Sequence, residues 1–114
     1  MILIPLDKDK KQISNRFRKA DYFMFEDADK KSIELNIHKT SKSNVFFEYF
    51  NELGVKKIYL TALVYKTFLK LDALGVEVYF VKNSLNYEDI DEENLLKIDA
   101  SNAKELCTLG HYSK

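Results

Sequence analysis

The chain has 114 residues, 46% of them hydrophobic and 32% charged, which is enough for one globular domain and too little for two. Seven tyrosines and eight phenylalanines can anchor a core without disulfide or metal staples, which argues against disorder. Eighteen Lys and Arg balance eighteen Asp and Glu to a formal net charge of +0, so no global field holds a polyanion and general nucleic-acid binding is disfavoured. The single cysteine, Cys107, excludes an intramolecular disulfide and suits a reducing compartment. The apolar start at 1–6 is broken by the charged run 7–11 before a membrane span or signal segment is complete. The expectation is a cytoplasmic protein with no membrane contact.

Residues 2–6 read as a buried first strand that Pro5 and the charged run bring to an end. Residues 7–20 are polar and basic, broken by Ile13 and Phe17, and read as a long loop of the sort that often carries function. Residues 22–25 and 32–37 read as two strands around a charged turn, the second alternating polar and apolar so that one face is wet. At 44–53 the period changes: Phe46, Tyr49, Phe50 and Leu53 share a helical face, and Gly54 stands where a left-handed cap is wanted. A strand at 55–60, a helix at 63–74 capped by Gly75 and a strand at 76–81 follow. Leu-Gly-Val thus occurs twice, at 53–55 and 74–76, each time as the hinge from helix into strand.

Strand, helix and strand over 55–81 make a βαβ crossover, which requires two parallel strands and predicts a mixed sheet of about five strands in an α/β domain. The acidic run 88–93 suits the N-terminal turn of a helix through Leu95 and Leu96 or, more ordinarily, a solvated face, and Asp99 and Ser101 read as caps of a last helix through Leu106, Cys107 and Leu109. The segment 86–114 is therefore expected to be helical within a single domain spanning 1–114.

In open α/β sheets ligands collect beyond the carboxyl ends of the parallel strands, where helix N-termini point their N–H groups into a crevice. That rule selects the loop 7–20, the turn Thr61-Ala62-Leu63 entering the second helix, and residues 82–85 with Asn83. The first loop sets six cations, Lys8, Lys10, Lys11, Arg16, Arg18 and Lys19, against Asp7 and Asp9, which suits an anionic ligand or acidic partner as well as plain solvation. Catalytic signals are poor. Asp7 ends the first strand as a metal-binding carboxylate would in a nuclease, but neither Asp21 nor Asp27 stands at a spacing that completes a cluster. Three glycines form no phosphate loop, and Ser, His and Asp occur without a nucleophile elbow. Cys107 and His111 are four apart, the separation that stacks two metal ligands on one helical face, though two ligands need a dimer partner or the cofactor's own ligands to close a site. His38 beside Lys39 reads as a surface histidine.

The strand 1–7, the stretch Ile13-Ser14-Asn15-Arg16-Phe17-Arg18-Lys19-Ala20-Asp21-Tyr22-Phe23 and the block from Leu53-Gly54-Val55 to Gly75-Val76-Glu77-Val78-Tyr79 come in one order. Over roughly 1–85 the chain resembles the dinitrogenase iron-molybdenum cofactor biosynthesis family, the NifX, NafY and NifB C-terminal type domain. That family usually reads Ile-Ser-x-His-Phe-Gly-Arg-Ala-x-Tyr-Phe in the second stretch, so Ile13, Ser14, Phe17, Ala20, Tyr22 and Phe23 agree in register. The resemblance implies a ribonuclease H-like three-layer fold and a non-catalytic, NifX-like accessory protein of nitrogen fixation. Such a protein would bind an iron-sulfur or iron-molybdenum type metallocofactor, or deliver it to a carrier or recipient protein. Arg16 replaces the family histidine and Arg18 the family glycine, and Thr61-Ala62-Leu63-Val64-Tyr65 replaces a Gly-rich turn. Arginine cannot ligate iron but pairs with an anion, which leaves Arg16, Arg18, Lys19, Thr61 and Asn83 as cofactor-binding residues and Cys107 and His111 as metal ligands. The alternative is a degenerate member that works as a protein-interaction or oligomerisation module, such as a homodimer, without metal.

Overall fold

The computed structural model describes residues 1–82 and 86–107. Its strands are β1 (Ile2–Leu6), β2 (Tyr22–Asp27), β3 (Lys30–Leu35), β4 (Lys57–Leu60), β5 (Glu77–Val81) and β6 (Leu95–Ile98). Its α-helices are α1 (Ser43–Leu53), α2 (Tyr65–Ala73) and α3 (Ala103–Leu106). The strands form one sheet in the order β3-β2-β1-β4-β5-β6. β1, β4 and β5 are parallel, the β2–β3 hairpin adds to β1 antiparallel, and β6 closes the far edge antiparallel to β5. The expected βαβ unit is β4-α2-β5, and both hinge glycines adopt the left-handed conformation that suits glycine, Gly54 at φ 74° and Gly75 at φ 78°.

Side chains alternate cleanly across the sheet. Leu3, Phe23, Phe25, Ile58, Leu60 and Val78 point to one face and share a core with Phe46 and Phe50 of α1, Phe68 and Leu71 of α2 and Ala103 of α3. Ile4, Leu6, Met24 and Val81 point to the other and pack with Ile13, Tyr59, Tyr87 and Ile90. No α-helix among the described residues contributes to this second core, so a two-layer arrangement with a loop-covered back replaces the expected three layers. The sheet has six strands where the sequence suggests about five.

The extra strand is the main correction. The acidic run does not start a helix, because the side chains of Asn86 and Asp91 accept the backbone N–H groups of Glu88 and Glu93, each at 2.9 Å, and close two short 3-10 turns, Tyr87–Asp89 and Glu92–Asn94. Leu95 then packs into the back core and Leu96 and Ile98 into the helix-side core, a period of two that only a strand satisfies. The last helix is also shorter than expected: α3 ends at Leu106, and Cys107 is already extended at φ −88° and ψ 152°.

The loop 7–20 is far from plain solvated coil. Asp9 accepts the N–H groups of Lys11 and Gln12, each at 2.9 Å, and tightens a turn in which Lys10 takes φ 62°. These hydrogen bonds hold the Asp9 carboxyl below the usual carboxylate range. Ile13 bridges back to Leu6, and the Ser14 N–H donates to the Pro5 carbonyl at 2.8 Å. The β1–β4 register covers only Ile2 and Leu3, so the N–H that Pro5 lacks is not missed in that ladder. Phe17 then buries its ring edge-on against Phe46 at 5.3 Å and Phe50 at 5.6 Å, with Phe23 at 6.2 Å. Because it joins loop, sheet and α1, Phe17→Ala should cost about 3–5 kcal/mol in urea denaturation, well above an exposed substitution.

Candidate functional site

Ser14 and Asn36 are the two buried polar residues among those described. Both frame the same loop. The Ser14 hydroxyl accepts the Arg16 N–H at 3.0 Å, while its carbonyl accepts the Thr61 hydroxyl at 3.3 Å, which ties the loop after β1 to the turn after β4. The Asn36 amide donates to the carbonyls of Arg18 at 2.8 Å and Ala20 at 2.9 Å, and its oxygen accepts the His38 N–H at 3.1 Å. Further along, Arg18 donates through Nη1 to the Ser41 carbonyl at 3.3 Å, and His38 holds the Ser41 hydroxyl at 2.9 Å while packing on Tyr49. An ion pair between Lys39 and Asp21 closes the frame and neutralises a nearby carboxylate.

This framework shapes a groove of about 890 Å³ between the loop and the start of α2. Arg16, Arg18, Lys19, Lys66 and Lys70 line it, and no Asp or Glu is among the described residues that do. Ser43, the first residue of α1, also lines it, with its hydroxyl held by Lys70 Nζ at 2.8 Å. Two helices therefore begin at this edge of the sheet. Neither has a side-chain cap and neither has an acidic residue in its first turn, so both present the positive end of their dipoles. Lys66 in the first turn of α2 has the sign that the dipole disfavours, a local cost that an anion in the groove would offset.

The structure brings Arg16, Arg18 and Lys19 together on one wall and sets Thr61 behind them as a tie to Ser14. It also divides the basic loop: Lys10 lies over the Tyr22 ring at 4.9 Å, and neither it nor Lys8 nor Lys11 lines the groove. Asn83 and His111 lie outside the described residues. Cys107 is buried in the helix-side core, and that burial raises its thiol pKa above the ordinary range, which disfavours the thiolate a metal needs. α3 ends at Leu106, so Cys107 itself stands outside the helix. Among the described residues no group of three or more His, Cys, Asp or Glu is placed to hold a metal ion. Sequence reasoning missed Lys66, Lys70, Ser43 and Asn36; Asn36 carried no motif, and the others meet the loop only through the packing of α1 and α2.

The arrangement is a mixed α/β protein with a cationic groove at the carboxyl edge of its parallel strands. Among the described residues no helix is long and apolar enough to cross a membrane. No family model matches the sequence, and no curated protein matches it either. Solved structures do share the fold. The apo form of the orange protein from Desulfovibrio gigas matches with a TM-score of 0.64 at 15% identity, over 85% of this chain and 91% of that one. A NifB-like protein of the DUF35 family from Thermotoga matches with a TM-score of 0.52 at 18% identity, over 91% of this chain and 83% of that one.

Two substitutions test the frame and its charge. Asn36→Ala should lower stability by about 2 kcal/mol, read by chemical denaturation, because buried carbonyls lose their donor. Lys66→Glu should instead raise the stability of the ligand-free protein by about 0.5 kcal/mol, read by thermal unfolding at low salt, by giving α2 the charge its dipole favours.

Proposed function

We infer that this chain is a non-catalytic accessory protein that holds or hands on an anionic metallocofactor of the iron-sulfur or iron-molybdenum type. The observation that carries the reading is the groove itself, with five cations, two uncapped helix starts and no lining carboxylate among the described residues. The two fold neighbours, a protein solved in its apo form and a NifB-like protein, support a cofactor-related role. They are loosely consistent with the nitrogen-fixation-related family that the sequence resembles.

The donor set says what form the cargo takes. Among the described residues the groove offers guanidinium and ammonium groups, amide N–H groups and hydroxyls, and none of the thiolate, imidazole or carboxylate donors that bind bare iron. A preassembled anion that brings its own ligands fits; a bare metal ion does not. Arg16 and Arg18 suit such an anion through charge-assisted hydrogen bonds, and the apolar floor of Phe17 and Leu63 keeps the groove shaped in its absence. Cargo held by charge rather than by covalent ligation can be released to a recipient protein without breaking metal–protein bonds.

The test uses a synthetic thiolate-ligated iron-sulfur cluster anion under anaerobic conditions. Its visible absorbance should co-elute with the wild-type chain at low salt and separate from it as salt rises. Arg16→Glu or Lys66→Glu should weaken retention by about tenfold or more, whereas Cys107→Ala should leave it unchanged. A wild-type chain that elutes colourless at low salt overturns the reading.

A further inference from the structure

The far edge of the sheet, away from β6, is β3, and all six of its residues are exposed. Three of the exposed large hydrophobic residues fall within five positions here: Ile33 at 37%, Leu35 at 60% and Ile37 at 68%. Ile33 and Leu35 pair with Met24 and Tyr22, so they extend the back face of the sheet beyond the part that the loops cover. On the opposite face Lys30, Ser32 and Glu34 line a shallow groove of about 540 Å³ that α1 leaves open. Among the described residues β3 thus has neither a strand beyond it nor a layer over it.

The backbone direction follows from the hairpin. Asp27 and Lys30 pair across the two-residue turn Ala28-Asp29, and such a turn closes on a hydrogen-bonded pair. Lys30, Ser32 and Glu34 therefore spend their backbone groups on β2, and Lys31, Ile33 and Leu35 point theirs outward. The Asn36 N–H, which donates to the Asp21 carbonyl at 3.1 Å, keeps the same alternation.

We propose that β3 pairs antiparallel with β3 of a second copy of this chain about a two-fold axis through Ile33, joining two sheets into one. In that register Ile33 meets Ile33 and Lys31 meets Leu35, so every outward N–H and C=O of the three residues finds a partner. Charge selects the occupant and the direction. β3 carries Lys30 and Lys31 at its start and Glu34 near its end, so an antiparallel second copy sets each Glu34 diagonally across from the other copy's Lys30 on the same face, whereas a parallel one stacks lysine on lysine. The same lysines that discourage indiscriminate edge pairing become complementary only in this arrangement. None of these residues lines the cationic groove, so the pairing stands apart from its cargo.

Sedimentation of the full chain over a concentration series tests the pairing. The wild type should show a reversible monomer–dimer equilibrium, and Leu35→Lys should be monomeric with an unchanged circular dichroism spectrum, since that side chain is already exposed. Ile33→Pro, which removes an outward N–H only, should also be monomeric. Glu34→Lys should weaken dimerisation by about tenfold, and adding Lys30→Glu should restore it. A wild type that stays monomeric at its highest soluble concentration overturns the proposal, as does a dimer that persists in both Leu35→Lys and Ile33→Pro.

Discussion

The burial of Phe17 is the constraint on which the rest of the site depends. The basic segment of seven residues between Ser14 and the start of β2 would by its own composition stay in water, and mutual repulsion of Arg16, Arg18 and Lys19 would spread it. One aromatic ring overrides that tendency. It sits edge-on between Phe46 and Phe50 of α1 and beside Phe23 of β2, where burial of apolar area outweighs the cost of ordering the charged neighbours. Once Phe17 is fixed, Arg16 and Arg18 flank it by chain geometry, and Ser14 and Asn36 supply the hydrogen bonds that the loop backbone needs in a dry setting.

β1, β4 and β5 run in one direction, and both long helices begin at the edge where those strands end. Helix starts at such an edge are usually capped or balanced by acids, and here neither is, while Lys66 and Lys70 add to the charge. Helix starts that depart so consistently from the local rule leave a concentrated positive potential at this edge. Among the described residues the lining holds no thiol, imidazole or carboxylate group.

The two faces of the sheet differ in kind. The helix side is a continuous aromatic and aliphatic core; the back is closed by the turns from 86 to 94 and by Ile13, and it ends in the bare β3 edge. Tyr59 and Tyr79 meet edge-on across β4 and β5 on this side, and burial of Tyr59 holds its hydroxyl pKa above the ordinary phenol range. The cationic groove and the exposed β3 edge therefore belong to separate parts of the molecule.

How far the sequence went by itself can be stated residue by residue. The periodicity of Phe46, Phe50, Phe68 and Leu71 and the two Leu-Gly-Val hinges determined the order strand, helix, strand, because left-handed glycines and a 3.6 period are local properties. The carboxyl-edge rule then located Arg16, Arg18, Lys19 and the turn at Thr61 in one neighbourhood. Tertiary structure alone decided that residues 95–98 are a strand, since four apolar-rich residues fit either period until β5 offers an edge. It also decided that Cys107 faces the core and that Lys66 and Lys70 complete the groove. Those outcomes depend on contacts between residues tens of positions apart, and such contacts leave no trace in spacing along the chain.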